Sequence, residues 1–286
     1  MNSYAKTVIL VALLCLLASV SGNFAWAVAW QEHPLLPWEQ EALKAFQRND
    51  YTGTIQQAQN QNEDPNWNAP LFIYYAHAQK WYLERSQDSA VYYKQQYPGL
   101  YNRLSGANLA VLTRLVQMPQ LSWSKKVNKK FADAAFEKAG TDEYLGALLF
   151  YIENGQADVS KSALKGLQVL LQSKRGIVEN GGALSKNDRQ WMQDPKTLNL
   201  LVRKAGENAN PATGFLSKMP AFARKKVMSG ASACLGLIQD PALPMLEKAA
   251  AMGNTSAAAT IQIIQDARGE RLAKFPNSTW YSATGR

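Results

Sequence analysis

The sequence predicts an all-α protein made of antiparallel pairs of short helices stacked on one another. Three observations carry that prediction. Helix-forming residues dominate, and after residue 30 no stretch alternates apolar and polar residues with the period of a strand. Helix stop and start signals recur along the chain, as at Asp240-Pro241 and Gly253-Asn254. The segments between such signals span about three turns, and helices of that length are marginal alone in water. Each must therefore bury its apolar face against a neighbour, which is the physics of a solenoid.

The chain has 286 residues, of which 47% are hydrophobic and 19% charged, enough for one or two domains with their own cores. Its first residues form a separate unit. Lys6 precedes an apolar run from Thr7 to Val20, and Ala25-Trp26-Ala27 is a small-x-small site. This is the pattern of a secretory signal peptide over residues 1–27, with cleavage expected after Ala27. The run is short for a membrane span, which needs about 20 residues. No transmembrane span is expected in the mature chain, and the protein is expected to be periplasmic or secreted. Removing Lys6 leaves 30 Lys and Arg against 22 Asp and Glu, a net charge of +8. Removing Cys15 leaves Cys234 as the one thiol, so stability must come from the core and not from disulfides.

Residues 28–37 read as an extended lead-in, with Pro34, Pro37 and His33, expected to lie on the first helices. An N-terminal helical-repeat region then runs from 38 to 175. Trp38 to Ala58 supplies two helices around Asn49-Asp50-Tyr51. Asn68 is expected to cap a helix through Leu71, Phe72, Tyr75 and Tyr82, and Asp88 one through Ala90, Val91 and Tyr97. Leu104 to Val116 forms an apolar stripe that Met118-Pro119 stops. Ser122-Trp123-Ser124 opens a lysine-rich helix ending in Phe131, Ala135 and Phe136. Thr141-Asp142-Glu143 caps a helix through Leu145, Leu149 and Ile152, and another follows from Val159 to Leu171. Residues 176–194, with Asn180-Gly181-Gly182, interrupt the pattern and read as a loop or hinge. A C-terminal helical region covers 195–271 and a polar, aromatic tail covers 272–286. Within that region Asp240 is expected to cap one short helix, and Thr255 or Ser256 the next.

Cys234-Leu235-Gly236-Leu237-Ile238-Gln239-Asp240-Pro241-Ala242-Leu243-Pro244 resembles a HEAT-like pattern, although the usual spacer after Asp-Pro is missing. Leu246 to Ala258 resembles a SEL-one-like repeat. Trp38, Ala42, Ala45-Phe46, Tyr51, Thr54 and Ala58 resemble a tetratricopeptide repeat, with Glu41 and Thr54 as departures. These resemblances disagree on the family. All three imply a right-handed α-solenoid of antiparallel helix pairs.

Few residues point to chemistry. No HExxH, GxxxxGK[ST], GxGxxG or CxxC occurs, and the two histidines, His33 and His77, stand far apart. Gly230-Ala231-Ser232 lacks the last glycine of a nucleophile elbow. Ser122 with Lys125 and Ser162 with Lys165 match a two-residue pattern found by chance in most chains. No catalytic residue, cofactor or metal is expected. The basic charge would suit nucleic acid, but export argues against it. The expected function is that of a non-enzymatic scaffold binding a protein partner or an anionic cell-envelope component, the alternatives being an enzyme or enzyme subunit without a linear motif and a structural subunit of an envelope complex. Tyr74, Tyr75, Trp81, Tyr92 and Tyr93 are the candidate groove, because aromatic side chains favour binding surfaces. Lys125, Lys126, Lys129 and Lys130 are the candidate patch for an anionic partner.

Overall fold

A computed structural model describes residues 29–61, 64–207 and 230–274, with side chains to residue 266. The expected signal peptide, the basic run Arg224-Lys225-Lys226 and the tail from residue 275 lie outside the described residues. Within them there is no strand. The helices are α1 (Pro37–Gln47), α2 (Tyr51–Gln59), α3 (Ala69–Glu84), α4 (Gln87–Arg103), α5 (Leu109–Val116), α6 (Lys125–Lys138) and α7 (Leu145–Asn154). They continue as α8 (Ala157–Glu179), α9 (Lys186–Gln193), α10 (Pro195–Glu207), α11 (Gly230–Ile238), α12 (Leu243–Ala251) and α13 (Thr255–Lys274). Short 3-10 turns precede α5, α6, α7 and α12.

Local signals explain most boundaries, though not always through the expected residue. Asp50 caps α2 by accepting from the Gly53 amide at 2.8 Å. Asn68 stands at the start of α3, but Asp64 accepts from the Asn68 and Ala69 amides in its place. Ser86, not Asp88, caps α4. Asn254, not Thr255 or Ser256, caps α13, accepting from the Ala257 amide at 3.0 Å. Asp240 opens a 3-10 turn behind Gln239 and not an α-helix. Gly253 has φ +87, and the Asn254 amide returns to the Ala249 carbonyl at 3.0 Å, a left-handed helix stop as its sequence predicts.

Helices α1 to α4 pack in sequence, each on the next. Further along, α6, α8, α11 and α13 form a row of successive neighbours. Beside it, Thr113 of α5 meets Tyr151 of α7, Glu153 of α7 meets Arg203 of α10, and α10 contacts α12. One continuous apolar core runs from Ala42 to Ile264. The starts of α1, α3 and α5 are tied by a buried polar ladder. The Asn68 amide donates to Glu39 at 2.7 Å, and the Asn108 amide donates to Asn68 at 2.8 Å. All three residues are buried, so each partner satisfies the other's desolvated groups.

Two sequence expectations need correction here. Residues 176–194 are mostly helical: α8 runs through Glu179, α9 begins at Lys186, and only 180–185 form the loop. Asn180 and Gly181 do form the turn, with Gly181 at φ +84. Buried Lys174 of α8 pairs with Asp188 of α9 at 2.9 Å and with Asp142, while Trp191 and Met192 enter the common core. Among the described residues, the lead-in, 29–36, bonds to the first helices only at Leu35 and Leu36, which meet Gln40 and Glu39 of α1. It crosses α5, α7 and α10: Glu32 meets Arg114 and Tyr151, and Trp30 lies against Lys196. Arg114 draws it there, because a glutamate leaving water needs a cation. No helix among the described residues is long and apolar enough to cross a membrane.

Candidate functional site

The aromatic segment folds as the antiparallel pair α3 and α4, with α6 packed beyond it through Phe131. Its side chains divide between core and surface. Tyr74 and Tyr75 have 0 and 1% exposure, so they cannot line a groove, contrary to the sequence expectation. Both rings pack edge-on against Phe131, and burial pushes their phenols far above the usual range. Adjacent positions on a helix point about 100° apart, so apolar pairs can both be buried when helices pack on two sides. That is the situation of α3.

Tyr92 and Tyr93 part company. Tyr92 stacks on His77 at 4.2 Å, and the His77 ring nitrogen Nδ1 lies 3.0 Å from the Ser89 hydroxyl. Burial, then the Lys80 charge, lowers the His77 pKa, which keeps the ring neutral near pH 7. Tyr93 turns the other way, stacking on Tyr74 at 4.8 Å and on Trp81 at 5.6 Å. Trp81 meets Trp123 edge-on at 5.6 Å, and Trp123 stacks on Tyr82 at 4.6 Å. Trp81, Tyr93 and Trp123 are half-buried and Tyr82 is exposed, so this array forms a surface terrace. Trp123 comes from the turn before α6 and was not among the expected groove residues. Its placement between Pro119 and the lysine run was the available signal.

The four lysines do not form one free patch. Lys129 pairs with Asp133 at 2.8 Å, and Lys125 lies 3.7 Å from Asp158. Burial alone would push the Asp133 carboxyl up, but hydrogen bonds from Lys129, Ser162 and Lys165 hold it below the usual range. No carboxylate among the described residues pairs with Lys126 or Lys130.

Lys130 faces a cleft of about 480 Å³ between α4 and α6. Tyr97 and Tyr101 form its aromatic wall, stacked 6.3 Å apart over Phe131. Lys130, Asp133, Glu137 and Lys165 form the charged wall. Lys138 donates to the Asn102 carbonyl at 2.7 Å, joining the end of α4 to α6. The arrangement offers a flat apolar face opposite cationic and anionic groups. It can hold an extended polar chain by stacking and ion pairing. Tyr97, Tyr101, Glu137 and Lys165 were not selected by sequence reasoning, because α4, α6 and α8 converge only in space.

Of the sequence near-misses for catalysis, Lys165 alone lines this cleft. Ser232 and Cys234 are buried in α11, and the Cys234 thiol sits 3.6 Å from the Leu164 carbonyl. Ser162 donates to Asp133 and to the Asp158 carbonyl. Compared with known proteins, the chain matches no family model, no curated protein and no solved structure at a significant level.

Proposed function

We propose that the chain is an exported, non-catalytic scaffold whose helix pairs stack as a right-handed solenoid. It holds a protein segment or an anionic envelope component in the cleft between α4 and α6. The observation that carries this reading is the cleft itself: Tyr97 and Tyr101 facing Lys130 in a space of about 480 Å³. The aromatic terrace of Trp81, Tyr82, Tyr93 and Trp123 extends the surface beyond the cleft. Stacking rows α6–α8–α11–α13 and α5–α7–α10–α12 support the solenoid, and the leader pattern of residues 1–27 supports export.

The test is site-specific photocrosslinking in the producing cell. A photoreactive residue at Tyr101 is expected to capture one discrete partner, and Lys130→Glu is expected to reduce that product at least tenfold. The same probe at Ile177, an exposed position on α8, serves as control. Equal products from both positions, or none from Tyr101 in a folded chain, would sink the cleft reading. Export is checked by fractionation and by the N-terminal mass, expected to begin at Val28. A chain retaining residues 1–27 in the cytosol refutes that part.

A further inference from the structure

Residues 29–36 behave like a bound peptide more than like part of the fold. The segment forms neither helix nor strand, and burial alternates from residue 30 to 33: Trp30 and Glu32 are half-buried, Gln31 and His33 exposed. In an extended chain, positions two apart share a face. Trp30 places its ring under the Lys196 ammonium, 3.7 Å from the ring centre. The Glu32 carboxylate takes both Arg114 nitrogens, one at 2.8 Å, and also accepts from the Tyr151 hydroxyl. His33 meets Tyr144 edge-on at 5.6 Å, and Leu35 packs on the core. No backbone hydrogen bond among the described residues joins residues 29–35 to the helices beneath them. Apart from the Leu35 carbonyl, which accepts from the Gln40 side chain of α1 at 3.0 Å, its own side chains hold the segment down.

The floor beneath is a site built for a carboxylate. Tyr151 is 5% exposed and its oxygen lies 3.1 Å from the Thr113 hydroxyl. Arg114 is steadied by its own helix, donating to the Ala110 carbonyl at 2.8 Å. Burial, then the bond to Glu32, pushes the Tyr151 phenol far above the usual range, so it stays a donor. If Glu32 left, the Tyr151 phenol would lose the acceptor for its proton and the Arg114 guanidinium its carboxylate, an arrangement that favours another acid.

We infer that the surface across α5, α7 and α10 is a peptide-binding groove for an extended aromatic-x-acidic segment, occupied in the free protein by residues 30–32. A partner of that chemistry competes with the chain's own strap. This surface is separate from the cleft between α4 and α6 and stands without it. The competition has a size. A tethered strap acts at an effective concentration of about 1 mM, and an intrinsic Kd on the order of 100 µM would then handicap a free peptide about tenfold.

The experiment uses the purified full chain and a fluorescein-labelled peptide of residues 28–36, followed by anisotropy. Wild type is expected to bind weakly. Trp30→Ala with Glu32→Gln, which releases the strap, is expected to bind about tenfold more tightly. Adding Arg114→Gln to that variant is expected to abolish the gain, as is a peptide carrying Gln in place of Glu. Equal binding by wild type and the released variant overturns the proposal, and so does binding indifferent to Arg114. Should the double variant lose its helical circular dichroism, Trp30→Ala alone is used. It is then expected to gain about threefold, and no gain again overturns the proposal.

Discussion

Helix α8 carries two glycines that should respond oppositely to one added methyl group. A Cβ built on Gly166 would lie 2.8 Å from Leu148 Cδ2 and 3.1 Å from the Phe136 carbonyl carbon, with the carbonyl oxygen closer still. Gly140, just past α6, likewise faces the Gly166 carbonyl at 2.8 Å. Backbone meets backbone here between the end of α6 and α8, and backbone cannot step aside as a side-chain tip can. Overpacking of this kind costs roughly 1–3 kcal/mol or more. Replacing a helical glycine by alanine returns about 1 kcal/mol. With backbone as the obstacle the upper part of that range applies, so Gly166→Ala should destabilise by about 2 kcal/mol. Gly176 lies on the same helix with nothing within 4 Å of its would-be Cβ. Gly176→Ala should therefore stabilise by about 0.5–1 kcal/mol. At about 2–4 °C per kcal/mol, thermal melts followed by circular dichroism should show one midpoint lowered by about 4–8 °C and the other raised by about 1–4 °C. Two midpoints shifted upward together would refute the close crossing of α6 and α8.

Other outcomes follow from buried groups. Lys174→Met removes the cation from Asp188, whose side chain is 6% exposed, and is expected to cost about 3 kcal/mol in urea unfolding. Burial alone would push the Asp188 carboxyl up, but Lys174 and Ser185 hold it below the usual value. Its contribution is thus full above the unfolded pKa of about 4 and is lost as pH falls through the lowered value. The wild-type melting point should accordingly drop more steeply in acid than that of Lys174→Met; parallel curves would contradict the pairing. The Tyr75 hydroxyl is buried without a hydrogen-bond partner among the described residues, so Tyr75→Phe is expected to raise stability by about 1 kcal/mol; a clear loss would mean that the hydroxyl is satisfied. Burial pushes the Cys234 thiol up to about 12, so peptide mapping after alkylation at pH 8 should find Cys234 unmodified unless denaturant is present.

The amino-acid sequence alone determined the helical class and many of the punctuation points. The Gly253 stop, the break between helices at Asn49-Asp50-Tyr51 and the turn at Asn180-Gly181 depend on residues within one turn of each other, where backbone chemistry decides. It also pointed to the aromatic density of α3 and α4 and the basic face of α6. Only the tertiary structure decided which of those residues are available. Tyr74 and Tyr75 vanish into the core because helices pack on both sides of α3, and Lys129 is claimed by an aspartate one turn along its own helix. Helix α8 runs on to Glu179 because Val178 buries in the common core, where loop chemistry alone suggested a break. The strap of residues 29–36 was least legible. Its course is set by Arg114, Tyr151 and Lys196, and none of them lies within 80 positions of the residue it holds. Periodicity and caps are short-range signals. A carboxylate finding its guanidinium across the fold leaves no trace in the spacing of neighbouring residues.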